Sequence, residues 1–300
     1  MKNKGSILHY FLICFFFLFV LFLYGPILTI LILSFQGPNG GLTFPLNGLS
    51  FHWFIKLWEG ASVVDIWSAF RRSIVLGIVV MVITVILSVC AGLAFRRPFR
   101  GSNIIFYVTI TSLIIPSIVV SLGIALEFRI MDNITKFFGK SLDIDWINSN
   151  FQTTLNMFSS GLGAQLTWTL PFGILIMFAV FNRFDKAYEE AGRDLGAGPF
   201  QVFRLIVLPI IAPSLIGVAL FGFTLSYDEF ARTLLTSGSR NTLPLEIFGM
   251  TTNVTTPVIY ALGTLTTLFS LLIIIFFLTF FVLSQRRRNK KGSDAGKGLV

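Results

Sequence analysis

The sequence predicts an all-α polytopic membrane protein with six transmembrane helices, both termini cytoplasmic, and a cytoplasmic docking helix between spans four and five. Three observations carry this. Of 300 residues, 54% are hydrophobic and 12% charged, about half the charged fraction of a soluble domain. Apolar runs of about 20 residues recur along the chain, the length a helix needs to cross the hydrocarbon layer. Lys and Arg are unevenly shared between alternate connections, and that bias sets orientation. The net charge of +9 sits in short clusters beside apolar segments rather than in one patch. The expected partner is therefore membrane lipid and not nucleic acid.

The elements follow in order. Span one covers 7–33. Lys2 and Lys4 precede it as in a secretory signal, but the run is too long for a signal core and no small-residue cleavage site follows, so it is expected to be retained. Residues 36–50, rich in Gly, Pro and Asn, read as irregular turns. Residues 53–70 carry Trp53, Trp58 and Trp67 and predict a helix lying at the membrane interface. Spans two and three cover 72–95 and 103–127, and the polar stretch 131–164 reads as an exposed outer loop. Span four, 165–182, has a short apolar core and contains Pro171; its start is open back into 151–164, with five or seven spans as the alternative counts. Spans five and six cover 206–228 and 258–284. Residues 1–284 form one membrane domain, and 285–300 are a basic, disordered tail. With the N-terminus inside, fifteen of the 23 Lys and Arg residues face the cytoplasm; the reverse topology exports the basic tail and the charged 183–205 loop together. Cys14 and Cys90 lie inside apolar spans as small hydrophobes. His9 and His52 have no partner at metal-ligand spacing, so no metal is expected.

The 183–205 loop is too structured for a simple connection. Phe184, Tyr188, Ala191 and Leu195 recur at spacings of four, three and four, one apolar stripe on a helix. Asp185 is placed to cap its start, and Glu189 sits four residues before Arg193. Gly196 permits a left-handed turn, and Pro199 suits the first turn of a second helix. A helix resting on lipid headgroups is usually rich in Lys and Arg on its polar face. This one leans acidic and is small at Ala191, Gly192, Gly196 and Ala197, which favours docking into a protein groove.

The same residues resemble the cytoplasmic signature of permease subunits of ATP-binding-cassette importers: Glu-Ala-Ala, three residues, Gly, nine residues, Ile, one residue, Leu-Pro. Glu190, Ala191, Gly196, Ile206, Leu208 and Pro209 match, and Gly192 replaces the second Ala. Tyr24-Gly25-Pro26 with Ser34-Phe35, Asp194-Leu195-Gly196-Ala197, Ser226-Tyr227-Asp228-Glu229-Phe230 and Thr242-Leu243-Pro244 look like the spermidine/putrescine-type subfamily. The resemblance implies a bacterial inner-membrane subunit paired with a second permease subunit, an ATPase dimer inside and a substrate-binding protein outside. It implies that Tyr188, Glu190, Ala191, Gly192, Asp194, Gly196 and Ala197 dock the ATPase. The chain itself carries no phosphate-binding Gly-x-x-x-x-Gly-Lys-Ser/Thr loop, so it is expected to be a non-catalytic transport subunit without a cofactor of its own.

Charged groups inside a membrane default to functional sites. Counting ~1.5 Å per residue, Glu127 lies roughly 35 Å up span three and Asp228 roughly 30 Å up span five, both at the outer mouth of a core about 30 Å thick. With Tyr227 and Glu229 they form a candidate receiving site for a cationic solute such as a polyamine. The structural alternative pairs Asp228 with Arg232, four residues on. Trp168 is an aromatic candidate, and Thr84, Ser88, Ser117, Ser121 and Thr169 either line a path or hydrogen-bond within the bundle. Pro26, Pro116, Pro171, Pro209 and Pro213 either break helices at a pathway or are tolerated kinks. An ion-gradient-driven secondary transporter is the competing class, and it needs ion-coordinating groups near mid-membrane that the spans do not offer. A permease for a different small solute is the other alternative.

Overall fold

The computed structural model describes residues 4–60, 65–97, 99–253 and 256–295. Among them the chain is helical, with no strand beyond an isolated bridge between Gln36 and Leu49. Five helices are long and apolar enough to cross a membrane: Leu8–Leu33, Ile66–Phe95, Met157–Asn182, Pro199–Tyr227 and Val258–Phe280. The chain divides into two compact units, one of residues 1–66 and 247–272, the other of 67–246 and 273–300.

In the first unit, α1 (Lys4–Leu33) is apolar all round and presents Phe11, Phe16, Phe22 and Leu23 outward. That pattern belongs to a helix whose surroundings are lipid or another apolar surface. Pro26 is accommodated within the helix. The turns expected at 36–50 are organised by one buried side chain: Gln36 Nε2 donates to the carbonyl of Gly41 at 3.2 Å, and its Oε1 accepts from Asn47 N at 2.7 Å. The interface helix expected over 53–70 is corrected. Helix α2 (His52–Trp58) is short and inserts Trp53 and Leu57 into the interior, while Trp67 belongs to the first turn of the next helix. Tyr260, in α12 (Val258–Ala295), donates its hydroxyl to Leu42 O at 2.6 Å. Helix α12 continues through the basic residues to Ala295. Extending a formed helix adds one hydrogen bond per residue without a new nucleus. Residues 296–300 lie outside the described residues.

The second unit holds α3 (Ile66–Phe95), α4 (Ser102–Thr111), α5 (Ser117–Ser141), α6 (Asp145–Asn150), α7 (Leu162–Asn182), α8 (Ala187–Asp194), α9 (Pro199–Val202) and α10 (Leu208–Tyr227); α11 (Leu243–Asn253) begins within it. Single π-helical turns at Met157–Gly161 and Phe203–Val207 lead into α7 and α10, so the fourth span starts at 157 rather than 165. The expected continuous third span, 103–127, is interrupted between α4 and α5. Pro116 has no N–H to continue the ladder and disfavours helical backbone at the residue before it, and it stands in extended conformation as the N-cap of α5. An apolar run reads the same whether it is whole or broken, so the sequence pattern alone did not separate the two. The 131–164 loop is also largely helical: α5 runs to Ser141 and α6 follows. Buried Asp132 ties the end of this segment back, accepting from Thr154 N at 2.7 Å and from the Thr153 and Thr154 hydroxyls.

Small residues bring α3, α7 and α10 close, as expected where lipid supplies no hydrophobic drive between helices. A β-carbon on Gly222 would stand 3.2 Å from Met81 Cα, and one on Gly173 would meet Ser88 and Thr84. The cytoplasm-type end of this bundle is an apolar cluster of Val89, Met177, Phe181, Val202, Val207, Ile211 and Val218.

Candidate functional site

Two assemblies in the second unit carry functional chemistry. The first is the 183–205 loop. Asp185 Oδ1 accepts from Ala187 N at 2.9 Å one residue ahead of Lys186, the N-cap of α8, which has no side-chain capping bond. Helix α8 ends in a Schellman turn: Gly196 N donates to Arg193 O at 2.8 Å and Ala197 N to Gly192 O at 3.1 Å. Gly196 adopts φ +85° there, a conformation costing other L-residues roughly 1–2 kcal/mol. Pro199 opens α9, and Gln201 Oε1 accepts from Gly198 N at 2.9 Å.

Two contacts anchor this bent pair to the bundle. Gly192 is buried, and a β-carbon there would run into Ile206 and approach Val202. The small residue therefore serves close packing within the chain. This also gives the Gly192–Ile206 spacing a physical reason. The second anchor is Glu189, whose Oε1 accepts from Arg96 Nη1 at the end of α3 at 2.5 Å. The two side chains are only 12% and 13% exposed, so water screens the pair far less than a surface bridge. The Arg96 guanidinium also lies over the Phe181 and Phe184 rings at 5.2 and 5.1 Å. Glu189 keeps the expected link to Arg193 at 3.5 Å.

Other side chains of the loop are exposed, although the Tyr188 ring touches that of Phe184 with centres 6.3 Å apart. Tyr188 is 57% exposed, Leu195 89% and Phe200 71%. Glu190, Ala191 and Asp194 are exposed beside them, and Ala197 is half-buried. The loop is thus anchored to the bundle while several of its apolar side chains stay unburied.

The second assembly surrounds Arg232. Helix α10 ends at Tyr227, and residues 228–242 form irregular turns, yet Arg232, Thr233, Thr236, Ser237 and Thr242 are buried. Buried irregular backbone needs donors and acceptors from elsewhere. Here helix hydroxyls supply them: Ser121 Oγ donates to Arg232 O at 3.0 Å, Ser160 Oγ donates to Thr236 O at 2.7 Å, and Ser73 Oγ accepts from Leu243 N at 2.8 Å. The Arg232 guanidinium is completely buried. Its Nη1 donates to Ser117 Oγ at 2.7 Å in the first turn of α5, its Nε reaches Thr167 Oγ1 at 3.3 Å, and it lies 4.5 Å from the centre of the Trp168 ring. Glu229 Oε2 stands 3.8 Å from Nη1. Burial lowers the guanidinium pKa, and Glu229 raises it back in part.

This rearranges the expected pathway residues. Arg232 pairs with Glu229 and not with Asp228, because the helix ends at Tyr227 and helical spacing no longer applies. Trp168 and Glu229 meet around Arg232. Tyr227 is buried, stacked on Phe223 with ring centres 5.8 Å apart. Asp228 and Glu127 are exposed, the latter on α5. Thr84 and Thr169 share a hydrogen bond of 2.8 Å between α3 and α7. With Ser117 and Ser121, these hydroxyls bond within the bundle. Arg96, Asp132 and Arg232 were missed as functional candidates: each has at least one hydrogen-bond partner 21 or more positions away, although Arg232 also pairs with nearby Glu229. The only local signal was a charged residue beside an apolar run.

The comparisons with known proteins agree with this geometry. The family described as binding-protein-dependent transport system inner membrane component matches residues 84–290. The spermidine/putrescine transport system permease protein PotC of Haemophilus influenzae is 28% identical over 258 residues, 85% of this chain and 91% of that protein. The putrescine transport system permease protein PotI of Escherichia coli K12 is 28% identical over 247 residues, 81% of each chain. Among solved structures, a chain of a bacterial alginate ABC transporter in complex with its pentasaccharide-bound periplasmic protein superposes with a TM-score of 0.64 at 14% identity, covering 96% of both chains. A chain of the MetNI methionine ABC transporter gives 0.51 at 16% identity, covering 79% of this chain and 99% of that one. These two likenesses concern the fold. The protein is a multi-pass inner-membrane permease subunit of ABC importers, and it belongs to the binding-protein-dependent transport system inner membrane component family.

Proposed function

We propose that this subunit moves a polyamine inward, driven by a separate ATPase dimer that docks on the 183–205 loop. In this reading α4 and α5 together complete a sixth crossing, both termini are cytoplasmic, and α8 is the coupling helix. A second permease subunit completes the path, and an external binding protein delivers the solute. The chain supplies no cofactor and no catalysis. The observation that carries the docking role is the exposed apolar set Tyr188, Leu195 and Phe200 on a loop held by Arg96–Glu189 and Gly192–Ile206. Motion of the ATPase reaches α3 through Arg96 and α10 through Ile206, so a change at the loop tilts the bundle instead of being lost in a flexible tether. The polyamine assignment is supported by the names of the sequence relatives.

One observation favours a different small solute. Arg232 sits beside Glu229, leaving Asp228 as the unneutralised acid of the two. Uptake of radiolabelled putrescine and of spermidine into proteoliposomes holding the assembled transporter and its binding protein tests the cargo. ATP-dependent accumulation supports the polyamine reading. Accumulation of neither, with ATPase activity stimulated by the binding protein loaded with another solute, rejects it while keeping the importer.

A further inference from the structure

We propose that the cavity between Arg71, Arg72 and Arg240 is a binding site for the headgroup of an anionic phospholipid. The cavity measures about 340 Å³, with Val75, Met157 and Phe158 as its apolar wall. Two of its cations, Arg71 and Arg72, are neighbours on α3, the third comes from a segment far along the chain, and specific bonds hold the two segments together. Arg72 Nε donates to Asn241 O at 2.7 Å, and Ser73 Oγ accepts from Leu243 N at 2.8 Å, so residues 240–243 are fixed beside the second turn of α3. Glu246 offsets Arg72 at 3.8 Å. Among the described residues, neither Arg71 nor Arg240 has an ion pair. Three guanidinium groups gathered against one carboxylate repel one another, and an anion between them relieves that repulsion.

Depth selects a lipid. Between Arg72 and Arg96, α3 presents 23 residues without a charge, about 34 Å at ~1.5 Å per residue. That matches a hydrocarbon layer about 30 Å thick, which places Arg71 and Arg72 in the headgroup layer at the α3 N-terminal end. Val75 and Phe158, 39% and 43% exposed, then stand where a lipid's glycerol and first methylenes lie. Basic pockets bordered by apolar helix surface at this depth suit phosphodiester headgroups. A cationic cargo is repelled by such a corner, so under the polyamine reading the site is separate from the transport path.

The test is native mass spectrometry of the assembled transporter released from nanodiscs containing equal phosphatidylglycerol and phosphatidylcholine. Wild type should retain phosphatidylglycerol preferentially. Arg71→Gln with Arg240→Gln should lower that retention about tenfold or more, while Arg71→Lys with Arg240→Lys should keep most of it. Equal retention by the Gln pair and wild type overturns the site, as does equal retention of the two lipids. Displacement of the lipid by millimolar inorganic phosphate assigns the cavity to free phosphate and also overturns the proposal. If the Gln pair does not assemble, the Lys pair and wild type still decide through headgroup preference and phosphate competition.

Discussion

Replacing Arg232 with methionine keeps an unbranched apolar stem and removes the guanidinium with its charge. At 3.8 Å and an effective dielectric of about 20, attraction between Arg232 and Glu229 is about 4 kcal/mol. Glu229 is 14% exposed, so solvent lowers that figure. The hydrogen bond to Ser117 and the contact with Trp168 add about 1–2 kcal/mol each, and release from burying a guanidinium opposes them. The net expectation is a loss of about 3 kcal/mol, at the lower edge of what removing one partner of a buried pair costs. For a chain of this size that is about 5 °C in the midpoint, read as folded material surviving heating in detergent, by size exclusion. Adding Glu229→Gln removes the stranded carboxylate, so the double variant should lose at least about 1 kcal/mol less than the two single losses summed. A shift below about 1 °C for Arg232→Met, or strict additivity in the double variant, refutes the reasoning.

Three further outcomes follow from the geometry. Gly196→Val forces a β-branched residue to φ +85° and should abolish ATP-driven uptake while leaving the protein in the membrane; normal uptake in vesicles removes the turn from the mechanism. Asp132 is opposed by burial, but the Thr153 and Thr154 hydrogen bonds and the Lys136 charge outweigh it and hold its carboxyl below the ordinary value. Its stabilisation is therefore present above the usual carboxylate range and fades as pH falls through the lowered value, so Asp132→Ala should cost about 1–3 kcal/mol at pH 7; a cost unchanged down to pH 3 contradicts the ionised pairing. Cysteines at 145 and 240 in a background lacking Cys14 and Cys90 should react with an impermeant reagent added outside, and those at 186 and 290 should not; the opposite pattern inverts the topology.

What could be read beforehand was what short spacing encodes. The Glu189–Arg193 pair, the Gly196 turn and the Pro199 start lie within one or two helical turns, and each formed as the spacing required, whereas Asp185 bonds Ala187 from one residue ahead of the N-cap. The membrane-length helices were legible because hydrophobic length is set by the bilayer. The rest depended on contacts distant in sequence. Nothing local tells that Arg232 is enclosed by Ser117 and Thr167, 115 and 65 positions away. Pro116 was noted as a candidate break, but four other prolines shared that description, and of these Pro26, Pro171 and Pro213 stay inside helices. Gly192 read as small, and only the position of Ile206 shows what packs against it within the chain.

The central claim is that an ATPase covers the exposed apolar side chains of the 183–205 loop. A single cysteine at position 195, in a background lacking Cys14 and Cys90, tests it most directly in the transporter purified with its partner subunits. Leu195 is 89% exposed in this chain. The account predicts that a short bifunctional thiol reagent links this cysteine to the ATPase subunit, and that assembly protects it from a soluble thiol reagent. A cysteine that stays freely reactive in the complete transporter and forms no such link contradicts it.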